Sequence, residues 1–264
     1  MESTYNYLEE YLNNLQAKGR FAVSMAELKQ QFDNSENAIK QSIYRLKRKN
    51  QLAHVRKEFY VIVPPQYSKR GMLPPSLFID DLMNYLNREY YVGALSAAAL
   101  HGAGHQQPMQ FQVMVEKPPL RSIKNKKLDI HFFVKSKWQA GNIEKKKTET
   151  GYINISSPAL TAFDLVYYHE GLGGVNRIFI ILEDLIENIN LSDLKKTASS
   201  QKVPDIQRFG YLLEQLGNEK LADALHKVIE GKTLREIPLS LAHKNREGQL
   251  SDKWKVILNT TLDL

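Results

Sequence analysis

The chain has 264 residues, no cysteine and a formal net charge of +7. That length can bury one large core or two modest ones without a staple, and the lack of cysteine excludes disulfide scaffolds, thiolate zinc sites and cysteine nucleophiles. The opening "MESTYNYLEEYLNN" carries acids and amides where a secretory signal needs a basic start and an apolar run, and no stretch of about 18 apolar residues follows, so a cytoplasmic location without a membrane partner is expected.

In chain order, "TYNYLEEYLNNLQAKG" puts Tyr5, Leu8, Leu12 and Leu15 on one face at helical spacing, with Gly19 as the stop. "SMAEL" has the form of a capping box, with Ser24 accepting from the backbone at Glu27 while Glu27 reaches back, and it starts a second helix ending near Phe32. After the polar "DNSEN", residues 36–49 give a third helix with Ile39, Ile43 and Leu46 on one face. "QLAHVRKEFYVIV" then alternates around a polar turn at Arg56, Lys57 and Glu58, which predicts a two-stranded hairpin. Three helices and a hairpin in this order form the layout of a winged helix-turn-helix. "VPPQYSKRGMLPPS" carries Pro64, Pro65, Pro74 and Pro75, which fix φ and remove donors, so it is expected to be an extended linker dividing a domain 1–70 from a domain 71–264.

The second part opens with helices at "FIDDLMNYLNREY" and "GALSAAALHGA" and continues with strands at "QFQVMVEK", "LDIHFFVK" and "GYINIS". From residue 158 to about 230 the periodicity is helical, and the tail 231–264 with Trp254 is expected to close on this domain. Strands followed by helices, without regular alternation, predict an α+β class: a winged helix-turn-helix followed by a small antiparallel sheet plus helices. Within "YYVGALSAAALHGAGHQQP" the small residues from Gly93 to Ala99 let another backbone approach, His101 is placed to cap the last turn, and Gly102 and Gly104 end the helix, so this stretch reads as packing.

The charge is unevenly distributed. Residues 1–70 hold 12 Lys+Arg against 7 Asp+Glu, a net +5, and residues 120–150 hold 9 against 3, a net +6. Two basic patches on an otherwise mildly acidic body point to an anionic partner, with nucleic acid first. With the apolar face of the third helix turned inward, Asn37, Gln41, Tyr44 and Arg48 lie opposite, flanked by Ser35, Lys40 and Arg45. Asn and Gln pair with adenine edges, Arg with guanine and Lys with phosphate, so this stripe suits the major groove, while Arg56 and Lys57 suit a wing on the backbone or in the minor groove. The plainer alternative is an ordinary solvated helix face.

Signals for catalysis or metal binding are incomplete. "HEGLGG" lacks a second histidine four residues on, and its glycines sit between two helices, where a tight turn is the simpler reading. Glu116, Lys117 and Asp129 match no two-metal spacing, and His101, His105 and His131 are scattered. A non-enzyme without a cofactor or metal is expected. Besides a nuclease or transferase at residues 116–131, the alternative is a solitary regulator whose α+β domain senses a small ligand.

"YYVGALSAAALHGAGHQQP", "SPALTAFDLVYYHEGLGGVNRI" and "RFGYLLEQLG", in that order behind "FAVSMAELKQQFDNSENAIKQSIYRLKRKNQLAHVRKEFYVIVPPQY", resemble the AbiEi-type antitoxins of bacterial abortive-infection toxin–antitoxin systems. The resemblance implies a winged-helix domain that binds inverted repeats in its own promoter and represses the operon. It also implies a C-terminal domain that neutralises a nucleotidyltransferase-like toxin without requiring a stable complex. On that reading Arg121, Lys124, Lys126, Lys127, Lys135 and Lys137 are candidates for a basic antitoxin surface facing flanking DNA, or the RNA or protein on which the toxin acts. They equally suit lysines guarding a sheet edge.

Overall fold

The computed structural model describes residues 7–104, 108–242 and 247–262, so Tyr5 and His105 lie outside the described residues. The chain divides into two compact units: Met1–Tyr91 with Val113–Ser136 and Lys145–Asn154, and Val92–Gln112 with Lys137–Glu144 and Ile155–Leu264.

The first unit begins with α1 (Tyr7–Ala17), β1 (Ala22–Ser24), α2 (Met25–Gln31), α3 (Glu36–Arg48), β2 (Leu52–Arg56) and β3 (Phe59–Ile62), the element order of a winged helix-turn-helix. Leu8, Leu12 and Leu15 of α1 pack with Leu28, Ile39, Ile43, Leu46, Leu52 and Ile62 in one buried cluster, which gives this segment a core of its own. Strand β1 was not legible as a strand, because three residues are too few to show alternation. It exists because β3 pairs with it antiparallel, Ser24 opposite Phe59. The capping box is half realised. Ser24 accepts from the Glu27 amide at 3.1 Å, whereas the Glu27 carboxylate turns away to accept from Tyr11 Oη and Arg20 Nη2, each at 3.0 Å.

The proline-rich stretch is not an extended linker. Pro65 and Pro75 open two 3-10 turns, Pro65–Tyr67 and Pro75–Leu77, where a fixed φ is an advantage. Met72, Leu73, Leu77 and Phe78 are buried. The compact units accordingly do not divide at residue 70, and α4 (Ile79–Tyr85) belongs to the same unit as the winged helix.

Strands β4 (Tyr90–Val92), β5 (Phe111–Val115), β6 (Ile123–Asn125), β7 (Leu128–Val134), β8 (Ile143–Thr148) and β9 (Gly151–Ser156) form one sheet in the order β6-β7-β5-β4-β9-β8. The sheet is larger than the expected small antiparallel one, and it is mixed, since β4 runs parallel to β9 with Val92 opposite Ile155. β6 and β8 escaped the sequence reading because edge strands carry lysines in place of an apolar alternation; β8 is exposed from Glu144 to Lys147 on both faces.

In the second unit α5 (Ala94–Leu100) is followed by α6 (Pro158–Tyr167), α7 (Val175–Leu185), α8 (Leu191–Ala198), α9 (Val203–Gln215) and α10 (Glu219–Ile229). Packing explains the glycine-rich stretch that contains α5. Ala94, Ala97 and Ala98 are buried, and Gln112 secures the start of the helix, its Oε1 accepting from Leu95 N at 2.8 Å and its own amide donating to Ser96 Oγ at 2.9 Å. Gly104, at a φ of +86°, donates its amide to Asp184 at 2.9 Å. The tail forms a three-stranded sheet ordered β10-β12-β11 from β10 (Ile237–Pro238), β11 (Gln249–Ser251) and β12 (Val256–Leu258). It closes on α9 as expected. Trp254 is fully buried against Gly210, its indole donates to Glu214 at 3.0 Å, and its carbonyl accepts from Gln207 at 2.7 Å. Among the described residues no helix is long and apolar enough to cross a membrane.

Candidate nucleic-acid interface

Helix α3 forms because Ser35 caps it, accepting from Ala38 N at 3.3 Å, and because Ile39, Ile43 and Leu46 fall on one buried face. Ser35 therefore has a structural duty at the helix start. Opposite the buried face, Asn37, Gln41, Tyr44 and Arg48 are exposed, Tyr44 by 58%, and make no polar contact with the described residues. They follow an i, i+4, i+7, i+11 spacing and so run about 16 Å along the helix at 1.5 Å per residue. A row of donors and acceptors without internal partners can satisfy base edges.

The flanking cations are more committed than the sequence suggested. Lys40 pairs with Glu36 at 2.6 Å, and Lys29 shares the same carboxylate. Hydrogen bonds from Lys29 first and then Lys40 lower the Glu36 carboxyl to about 2. The Arg45 guanidinium donates to Ser42 Oγ at 2.8 Å. At the wing, Arg56 Nη1 donates to the Arg121 carbonyl at 3.2 Å, and the Lys57 side chain is exposed. Bonding choices of this kind are invisible in the sequence, because Arg56 and Arg121 are 65 positions apart.

The second basic stretch lies close to the first. Lys127 Nζ donates to Asn50 Oδ1, just beyond α3, at 3.3 Å. These two contacts bring the segment around β6 near residues 50 and 56, at the two ends of β2, within the first unit. Arg121, Lys124, Lys126 and Lys127 are exposed, and Lys124 is also within 3.7 Å of Asp129. Lys135 is only half exposed, with its ammonium 6.0 Å from the centre of the Tyr91 ring. Lys137 belongs to the second unit, so the six residues do not form one patch on one unit.

Several of the residues considered for chemistry have structural partners. His169 is buried, with Nδ1 at 2.7 Å from the Val166 carbonyl and Nε2 accepting from the Leu241 amide at 3.4 Å; burial lowers its pKa. Gly173 and Gly174, at φ of +103° and +93°, make the turn into α7, so "GLGG" is a helix connection. His101 Nε2 lies 2.7 Å from the Ser156 carbonyl and His131 Nδ1 lies 3.0 Å from Ser122 Oγ. The Glu116 carbonyl accepts from Arg88, and Asp129 faces Lys124. No group of three or more His, Asp or Glu side chains among the described residues is arranged to hold a metal.

Comparison with known proteins agrees with this architecture. The chain is similar in fold to the crystal structure of the RV2827C protein from Mycobacterium tuberculosis, with a TM-score of 0.69 and 15% identity over 96% of this chain and 91% of that one; at this identity the likeness concerns the fold alone. No curated protein matches. Residues 91–215 match the model of the AbiEi antitoxin C-terminal domain. That family is regulatory and non-enzymatic, and the domain supports an antitoxin role in a type IV toxin–antitoxin system. Residues 91–215 are thus similar to the C-terminal domain of the AbiEi-type antitoxins, the family that the sequence motifs resemble.

Proposed function

We propose that this protein is a DNA-binding autorepressor and antitoxin, acting in the cytoplasm, that binds inverted repeats in its own promoter and counteracts a nucleotidyltransferase-like toxin. The observation that carries the DNA half is the exposed and uncommitted row Asn37, Gln41, Tyr44 and Arg48 on a helix held by its own apolar core. Base readout requires such groups on an exposed helix face. The antitoxin half rests on the AbiEi domain at residues 91–215.

The hairpin cations Arg121, Lys124, Lys126 and Lys127 fit the same partner. Their segment lies beside β2, so DNA seated on α3 meets them as contacts to flanking phosphates. The functional division proposed is residues 1–70 for reading the operator and residues 71–264 for neutralisation, with the hairpin serving the first task.

Two measurements test the two halves separately. In a gel shift, the purified chain should bind a fragment of its own promoter more tightly than a scrambled fragment at equal salt. Co-expression with the adjacent gene should restore growth. A chain that rescues without discriminating between the fragments loses the autorepressor assignment and keeps the antitoxin one.

A further inference from the structure

The tip of the wing is held in place by residues outside the winged helix. We propose that Tyr85 and the Arg121 carbonyl are positioning groups for the wing, fixing the β2–β3 tip so that Lys57 is presented to the DNA backbone at a set place beside α3. The proposal rests on the DNA-binding reading above.

A two-stranded hairpin alone is marginal in water, and although β1 pairs with β3 as far as Ser24 opposite Phe59, the turn itself lies beyond that ladder. This one turns through Lys57 and Glu58, with Glu58 at a φ of +59°, where a side chain is disfavoured. Three contacts offset that weakness. Tyr85 Oη donates to the Lys57 carbonyl at 3.2 Å while its ring lies 5.1 Å from the Phe59 ring. The Glu58 carbonyl accepts from Met25 N at 2.9 Å, at the start of α2. Arg56 Nη1 donates to the Arg121 carbonyl at 3.2 Å.

These contacts come from α2, α4 and the segment before β6, so the tip is gripped from three parts of the chain. Both tip carbonyls accept hydrogen bonds and one N–H of the Arg56 guanidinium is used, while the exposed Lys57 ammonium projects from the fixed tip. The hairpin is joined to α3 through the core, with Leu52 of β2 and Ile62 of β3 in one buried cluster with Ile39, Ile43 and Leu46. A lysine mounted on a fixed tip pays less ordering entropy on binding than one on a waving hairpin.

The test uses the full chain and a fragment of its own promoter, comparing wild type, Lys57→Ala, Tyr85→Ala and the double variant. The slope of log affinity against log salt should fall by about one for Lys57→Ala in the wild-type background, the signature of one lost phosphate contact. In the Tyr85→Ala background the same substitution should leave the slope unchanged. Equal losses in both backgrounds overturn the positioning role.

Hydrogen exchange supplies a reading that does not depend on DNA. Amides from Arg56 to Tyr60 should exchange faster in Tyr85→Ala, and to a smaller extent in Tyr85→Phe, which keeps the ring but not the hydroxyl, while α3 keeps its protection. Unchanged wing exchange removes the clamp, and loss of protection in α3 as well makes Tyr85 merely structural. If the wild-type chain does not bind the promoter fragment, the DNA reading fails together with the proposed use of the wing, and exchange still decides whether the clamp exists.

Discussion

Gly210 lies inside α9, where a glycine costs about 1 kcal/mol relative to alanine, so Gly210→Ala should stabilise the protein if the helix alone mattered. A Cβ built at this position would fall 2.1 Å from Trp254 Cζ3 and 2.2 Å from Cη2, against an ordinary carbon separation of about 3.5 Å. The ring would have to retreat by more than about 1 Å, yet Trp254 is 0% exposed, its indole is bonded to Glu214 and its carbonyl to Gln207. Overpacking a filled site costs about 1–3 kcal/mol, and an aromatic ring without room to move belongs at the upper end. After the gain in helix propensity is subtracted, a net loss of about 2 kcal/mol is expected. Urea unfolding followed by far-UV circular dichroism measures it as a lower midpoint at unchanged slope. In a Trp254→Leu background the same substitution should become neutral or stabilising by up to about 1 kcal/mol, because the clash is gone. A Gly210→Ala protein as stable as wild type, or the same loss in both backgrounds, refutes the idea that this contact anchors the tail.

Gln41→Ala or Arg48→Ala should weaken promoter binding by about 1–3 kcal/mol and relax sequence preference, while an unchanged gel-shift titration for both would remove α3 as the reader. Reversing the charge at Lys124 and Lys126 should reduce the salt dependence of DNA binding and leave growth rescue intact; lost rescue with normal DNA binding would return the hairpin to neutralisation. His169 is neutral in the fold because burial lowers its pKa, so the unfolded chain takes up the proton first as pH falls. The stability it contributes is present above an unfolded pKa of about 6.5 and is lost below it, and His169→Asn should flatten the urea midpoint between pH 8 and pH 5.5 relative to wild type. Ala98→Leu should overpack the buried face of α5 and cost about 1–3 kcal/mol, read as a lower melting temperature; an unaltered melt with lost repression or rescue would mark the α5 region as a functional site.

What the sequence determined by itself was the set of features fixed by short-range periodicity and composition. The inward face of α3, the exposed row from Asn37 to Arg48, the turn at Lys57 and Glu58 and the α+β class all follow from spacings of a few residues, which local sterics and amphipathic burial dictate. Tertiary structure decided which of those side chains remain available. Arg56 is tied to the Arg121 carbonyl across 65 positions that no local pattern spans, whereas the Lys40–Glu36 pair is a local one, four residues apart on α3. The strands β1, β4, β6 and β8, the parallel pairing of β4 with β9 and the burial of the proline-rich stretch were likewise decided by distant partners. A strand is completed by hydrogen bonds to a neighbour, and a charge is spent or left free by whatever the fold brings within about 4 Å of it, so neither is written in the residues immediately around it.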